Sequence, residues 1–183
     1  MERDIKVIIL GESYSGKTSI INRIVSKQFN DSTLVTIGSI SSIVIWNYKK
    51  KNIKLKVAFM DTAGQERFQQ SLPKKYLRGS HVVLLVFSNL KDLEVLKNRW
   101  FKYYKDNANT DKSKFIVVGN KSDIFGENEE EIKRLGGDFA EDIDAFFITC
   151  SAKSKDNIDN LENHILTEIK RIIDEEEKEK KIN

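Results

Sequence analysis

Five short segments of the chain gather residue types that could do chemistry at close spacing. The first is Gly11-Glu12-Ser13-Tyr14-Ser15-Gly16-Lys17-Thr18, which fits G-x-x-x-x-G-K-[ST]. Glycines at both ends let the backbone curl. The successive N–H groups of Ser13, Tyr14, Ser15, Gly16, Lys17, Thr18 and Ser19 can then face phosphate oxygens. A helix opening near Lys17 aims the positive end of its dipole at the same anion. Lys17 adds a full charge near β- and γ-phosphates, and the Thr18 hydroxyl is a ligand for Mg²⁺. An ordinary glycine-rich turn is the competing account. The placement between a predicted strand and a predicted helix argues against it.

The second segment is Asp61-Thr62-Ala63-Gly64-Gln65-Glu66. An aspartate after a strand can hold Mg²⁺ through a water. Gly64 can offer its N–H to a γ-phosphate with no side chain in the way, and Gln65 can orient an attacking water. D-x-x-G alone is weak, whereas the whole hexapeptide in this order is specific. The third is Thr36-Ile37-Gly38, between the first two. A lone loop threonine is usually a turn residue. Here a hydroxyl on Mg²⁺ and an N–H on the γ-phosphate are wanted, which would order the loop only while that phosphate exists. Thr33 competes for the role, and the Ile37-Gly38 that follows favours Thr36.

The fourth is Asn120-Lys121-Ser122-Asp123 and the fifth Cys150-Ser151-Ala152-Lys153. The Asp123 carboxylate can accept from both N1–H and the 2-amino group of guanine, a donor pair that adenine lacks. A site built on that pair leaves a carboxylate unpaired when the wrong base enters. Asn120 would brace the loops, and the Lys121 stem would lie over the base. The Ala152 N–H would meet guanine O6, with Ser151 and Lys153 completing the pocket. Phe29, which could be simple core, is read as edge-on to the base. Cys150 reads as a small buried residue, not a nucleophile. His81 and His164 join no ligand pair and read as structural.

The elements that must position these residues alternate strand and helix from end to end. Ile5–Leu10, Ser39–Tyr48, Ile53–Phe59, Val82–Phe87, Phe115–Val118 and Ala145–Thr149 read as strands. A Lys/Asn segment between the second and third implies an antiparallel hairpin. The nearly wholly apolar fourth and fifth read as central parallel strands covered on both faces. Residues 17–28 read as a helix. Leu93, Leu96 and Trp100 line one face of a later one, and Ile158, Leu161, Ile165, Ile169 and Ile172 one face of the last. The pattern is α/β and doubly wound, and ligands in such sheets sit at the carboxyl ends of the strands. Each motif except the threonine loop follows a predicted strand.

Bulk properties agree. The chain has 183 residues, which suits one domain. Net charge is +3, so nucleic acid is not the expected partner. A single cysteine excludes an intrachain disulfide framework. No apolar run approaches the roughly 20 residues of a membrane helix. The expected organisation is a nucleotide domain over 1–173 and a charged tail over 174–183, a solvated helix end.

Taken in order, GESYSGKT, TIG, DTAGQE, NKSD and CSAK resemble the Ras superfamily of small GTPases over nearly the whole chain. DTAGQERF, Thr36-Ile37-Gly38 and Tyr76-Leu77-Arg78-Gly79 are similar to its Rab branch. The resemblance implies a P-loop NTPase fold with a six-stranded, mostly parallel sheet and one antiparallel edge strand. It implies GTP or GDP with Mg²⁺ as cofactors, the metal on Thr18, Thr36 and Asp61. It also implies a monomeric switch read by effector, exchange-factor and GTPase-activating proteins through the loops around Thr36 and Gln65. The place implied is the cytoplasm or the cytosolic faces of endomembranes, with a role in vesicle trafficking. No arginine in the phosphate loop offers a finger in cis, so intrinsic hydrolysis is expected to be slow.

Several positions depart from the Rab pattern. Ser39-Ile40-Ser41 replaces a common aromatic, Met60 a common tryptophan, and Ser88 a common aspartate. The segment Phe68–Arg78 reads as one residue longer than usual and holds Pro73. These lie in or beside regions that partners read, so the effector stays open while the nucleotide chemistry is intact. Rab proteins usually end in prenylated cysteines, whereas this sequence ends Lys180-Lys181-Ile182-Asn183. A truncated tail is the favoured expectation; other routes to a membrane, or none, are the alternatives. Two rival functions remain: a guanine-nucleotide module that never cycles, against which Gln65 and Thr36 argue, and an ATP-using phosphoryl-transfer enzyme, against which Asp123 argues.

Overall fold

The computed structural model describes residues 2–29, 40–61, 74–108 and 112–182. The strands are β1 (Glu2–Leu10), β2 (Ile40–Tyr48), β3 (Ile53–Asp61), β4 (Val82–Phe87), β5 (Lys114–Asn120) and β6 (Phe146–Cys150). They form one sheet in the order β2-β3-β1-β4-β5-β6. β3, β4, β5 and β6 each run parallel to a neighbour, and only β2 is antiparallel, joined to β3. All six residues of β4 are buried, as a central strand covered on both faces requires. On β3 buried residues alternate with exposed or half-buried ones along the whole strand, the period of a strand with one face more open than the other.

Helices cover both faces. α1 (Lys17–Val25) and α6 (Ile158–Ile182) press Ile20, Ile24, Leu161, Ile165 and Ile169 onto one face. On the other lie α2 (Lys74–Leu77), a rod made of α3 (Leu90–Val95), a π-helical turn (Leu96–Phe101) and α4 (Lys102–Asn107), and α5 (Glu129–Asp142). Leu93, Leu96, Trp100, Ile132 and Phe139 fill that side. The hairpin between β2 and β3 closes on one 3₁₀ turn, Lys49–Lys51, with Asn52 left-handed at φ 52°.

Three strands run longer than the sequence reading has them: β1 starts at Glu2, β3 runs on to Asp61, and β5 spans Lys114 to Asn120. The difference matters at the carboxyl ends, because it puts both site residues on the last rung of a strand. α1 stops short of the expected residue 28. Its C-cap is Ser26, whose N–H and hydroxyl both turn back to the Asn22 carbonyl, and Lys27 then turns left-handed at φ 59°. α6 continues without a break through 174–182. Its acidic residues pair with cations at the amino ends of the strands: Asp174 and Glu177 with Lys51, Glu176 with Arg3, Glu175 with Lys114 and Glu179 with Lys112. His81 accepts the Lys6 N–H on Nδ1, and His164 stacks on Phe146 with centroids 3.5 Å apart.

Candidate functional site

Four strands deliver the described part of the site to the carboxyl end of the sheet. β1 ends at Leu10 and the glycine-rich loop follows; β3 ends on Asp61, β5 on Asn120 and β6 on Cys150. Register keeps them together, with Ile9 paired to Asp61 and Asn120 to Cys150.

The loop needs its two glycines for different reasons. A Cβ on Gly11 would run into the Val86 carbonyl oxygen, so β4 passes too close for any side chain. Gly16 has φ 91°, and a Cβ there would collide with the Asn120 amide. Tyr14 is also left-handed at φ 63°. Left-handed residues alternating with ordinary ones turn successive N–H groups to one side, the geometry of an anion nest. Gly16 at the N-cap of α1 has no side chain to cap it, and the positive end of the helix dipole points into the same loop. Lys17 is 5% exposed, and its Nζ donates to the carbonyls of Gly11 at 3.0 Å and Glu12 at 2.8 Å. A buried cation held by the loop it follows is a charge placed where the anion would sit.

The Thr18 hydroxyl donates to Asp61 Oδ2 at 2.5 Å. Two hard oxygen atoms thus stand side by side between α1 and β3, a donor type that would suit Mg²⁺ and not a thiol-seeking metal. Ser13 and Ser19 are half-buried, and Ser15 is fully buried. Thr36, Gly64 and Gln65 lie outside the described residues, so only two of the three expected metal ligands have a position.

The base side is held by Asn120, which is 1% exposed. Its Nδ2 donates to the Ser15 carbonyl at 2.9 Å, and its Oδ1 accepts the Ala152 N–H at 3.1 Å. The Ala152 donor expected to face a base oxygen is therefore already engaged, and a base would share it. Ser151 donates its hydroxyl to Asp123 Oδ1 at 2.5 Å and accepts the Ser154 N–H at 3.0 Å. That pair aims one oxygen of an otherwise exposed carboxylate. Lys121 is left-handed at φ 67°, and its Cε would lie 4.0 Å from a Cβ on Gly16, so its stem crosses to the phosphate loop. Lys153 is exposed. Burial pushes the Cys150 thiol up to about 12, which leaves it a poor nucleophile.

Arg23 escaped the sequence reading. From α1 it donates Nε to the Ala152 carbonyl at 2.7 Å and Nη2 to the Lys153 carbonyl at 2.9 Å. Its guanidinium also stands 5.3 Å from the centroid of the Phe29 ring. One side chain thus ties the fifth motif to the aromatic expected beside the base. Nothing in the sequence distinguishes an arginine on a polar helix face from its solvated neighbours. Ser88, at a position where an aspartate is common, donates its hydroxyl to Asp92 at 2.7 Å and helps start α3.

A phosphate loop between β1 and α1, with a carboxylate closing β3 and an asparagine closing β5, defines a P-loop nucleotide-binding protein. The sequence matches the Ras family over residues 6–171, and the chain belongs to that family. It is 35% identical over 179 residues to Ras-related protein SEC4 of Candida albicans, spanning 97% of this chain and 80% of that protein. To Ras-related protein SEC4 of Saccharomyces cerevisiae it is 34% identical over 158 residues, 85% of this chain and 70% of the relative. To Ras-related protein Rab-8A of Bos taurus the figures are 32% over 171 residues, 92% and 80%. The protein is a Rab-like small GTPase, a guanine-nucleotide-binding GTP hydrolase of the class that serves vesicle trafficking. Among the described residues, no helix is long and apolar enough to cross a membrane.

Proposed function

We propose that the chain is a switch whose individual parts follow the residues above. The amides of residues 13–19 and the Lys17 ammonium hold the phosphates. Asp123, oriented by Ser151, reads the guanine edge, with Lys121, Ala152, Lys153 and Phe29 around the base and Asn120 bracing both loops. Thr18, Thr36 and Asp61 would hold Mg²⁺, which when bound would supply positive charge to the phosphates. Gln65 orients the attacking water, and the Gly64 N–H meets the γ-phosphate. The observation that carries this reading is the Thr18–Asp61 contact beside the buried Lys17: oxygen ligands and a cation converge where a nucleotide phosphate would lie.

Loss of the γ-phosphate frees the loops around Thr36 and Gln65, and effector, exchange-factor and activating proteins read that difference. Turnover without an activator is on the order of 10⁻⁴ to 10⁻³ per second, as for a Ras-type site with no arginine in cis. The protein works on the cytosolic faces of endomembranes.

The test is to identify the nucleotide that copurifies and then follow GTP hydrolysis with Mg²⁺ in wild type and Gln65→Leu. Bound GDP, and hydrolysis that the substitution slows while GDP affinity holds, support the assignment. Tightly held GTP that never turns over in wild type would replace it with a non-cycling module.

A further inference from the structure

The second residue of the phosphate loop is tied to the helical rod that follows β4 in sequence and packs against it. Glu12 Oε1 accepts the Trp100 indole N–H at 2.8 Å and an Arg99 guanidinium N–H at 3.4 Å. The backbone carbonyl of the same residue accepts Lys17 Nζ at 2.8 Å and the Ser15 N–H at 3.2 Å. We propose that Glu12 is a positioning residue for nucleotide retention: its carboxylate, held by Trp100 and Arg99, fixes the carbonyl that curls the loop and seats Lys17. The inference rests on the reading of residues 11–18 as the phosphate site.

The two contacts differ in weight. Arg99 and Glu12 are both about a third exposed, and an ion pair of that kind contributes little. Trp100 is 1% exposed, so its N–H has no recourse to water and depends on an acceptor. A buried donor stripped of its partner costs far more than the bond contributes. A charged acceptor makes the bond stronger still. Arg99 lies 5.0 Å from the Trp100 ring centroid, so it packs on the indole as well as pairing with the carboxylate.

The helix winding suits the contact. Arg99 and Trp100 are neighbours in sequence, and in an α-helix neighbouring side chains diverge by about 100°. Both belong to the π-helical turn Leu96–Phe101, between the α-helical segments α3 and α4. Such turns are rare inside α-helices and recur at functional sites. Here the turn presents two adjacent donors to one carboxylate. Movement of this rod would then be felt at the phosphates without any contact to the nucleotide.

The test measures dissociation of fluorescently labelled GDP, with Mg²⁺ present, from wild type, Glu12→Ala, Glu12→Gln, Trp100→Phe and the double variant Glu12→Ala/Trp100→Phe. Trp100→Phe keeps most of the packing and removes the N–H. The expected result is release about five- to fiftyfold faster in Glu12→Ala and in Trp100→Phe. Glu12→Gln, which still accepts the indole N–H, should recover most of the difference. The double variant should be no faster than the faster single one, the non-additivity of two residues acting through one bond. Should Trp100→Phe fail to fold, the half-buried Glu12 variants carry the comparison alone. Unchanged release rates with a lowered melting temperature overturn the inference and leave a merely structural contact. A wild-type chain that binds no guanine nucleotide overturns the phosphate-site reading and this inference with it.

Discussion

Asn120 Nδ2 reaches the Ser15 carbonyl oxygen at 2.9 Å across 105 positions of sequence, joining the glycine-rich loop proposed to hold phosphates to the loop proposed to read the base. With Oδ1 on the Ala152 N–H, one amide links three motifs. Asn120→Ala leaves buried partners on both sides, each costing about 1–3 kcal/mol. GDP should dissociate about ten- to a hundredfold faster. Stopped-flow release of labelled GDP checks this, and a rate within twofold of wild type would remove Asn120 from the bracing role.

Arg23→Ala should loosen the base pocket without touching the phosphate loop. Two carbonyl bonds and the contact with Phe29 are lost together. Hydrogen bonds from a charged donor contribute about 1.5–3 kcal/mol each, and water replaces part of this at a half-buried site. The expectation is GDP affinity lower by about tenfold, with the hydrolysis rate at saturating GTP nearly unchanged. A fall in that saturated rate, with affinity intact, would contradict a role confined to the base. Arg23→Lys should not rescue, because an ammonium lacks the fork that meets both carbonyls.

The buried Cys150 thiol, pushed up to about 12 from an ordinary 9.0, predicts alkaline instability. Between those values the unfolded chain gives up a proton that the folded chain keeps. Stability is therefore whole below about pH 9 and falls as pH rises toward 12, with a limiting slope of about 1.4 kcal/mol per pH unit from this group. Urea titrations at pH 8 and pH 10 on wild type and Cys150→Ala separate the thiol's contribution from that of the lysines and tyrosines. At pH 8 a thiol reagent should label the protein only after denaturant is added. Rapid labelling of the native chain would show the site to be open.

The last turns of α6 should be sensitive to salt where the rest of the helix is not. Residues 174–179 dock through ion pairs at the surface, whereas Ile165, Ile169 and Ile173 are buried against the sheet. Salt near 1 M shortens electrostatic reach to about 3 Å. Amide exchange over 174–182 should quicken in that salt while 160–173 stays protected. The Lys51 ammonium holds the Asp174 carboxyl below its ordinary range, so this contribution is present at neutral pH and fades as pH falls through that range. Uniform protection in low and high salt would mean that the docking is not electrostatic.

Much of the fold was legible because its signals are local. Apolar runs of strand length, a 3.6-residue stripe on α6 and the glycine-rich loop depend on neighbours a few residues away. The strand ends were less so. Asp61 and Asn120 read as loop residues, yet each closes a strand, because pairing with β1 and β6 carries the ladder past the last apolar side chain. The charged stretch 174–182 read as a solvated helix end. Its partners Arg3, Lys51, Lys112 and Lys114 come from distant segments, and only the packed sheet brings them together.

For the site the division is the same. The residues proposed to meet a phosphate, a metal and a guanine edge were nominated from sequence, since the five motifs carry their chemistry in their own spacing. Which residues hold those motifs in place was decided by tertiary structure. Arg23 braces Ala152 from 129 positions away, and Trp100 braces Glu12 from 88. A positioning residue needs only a donor or acceptor within reach, and reach in space leaves no trace in local order.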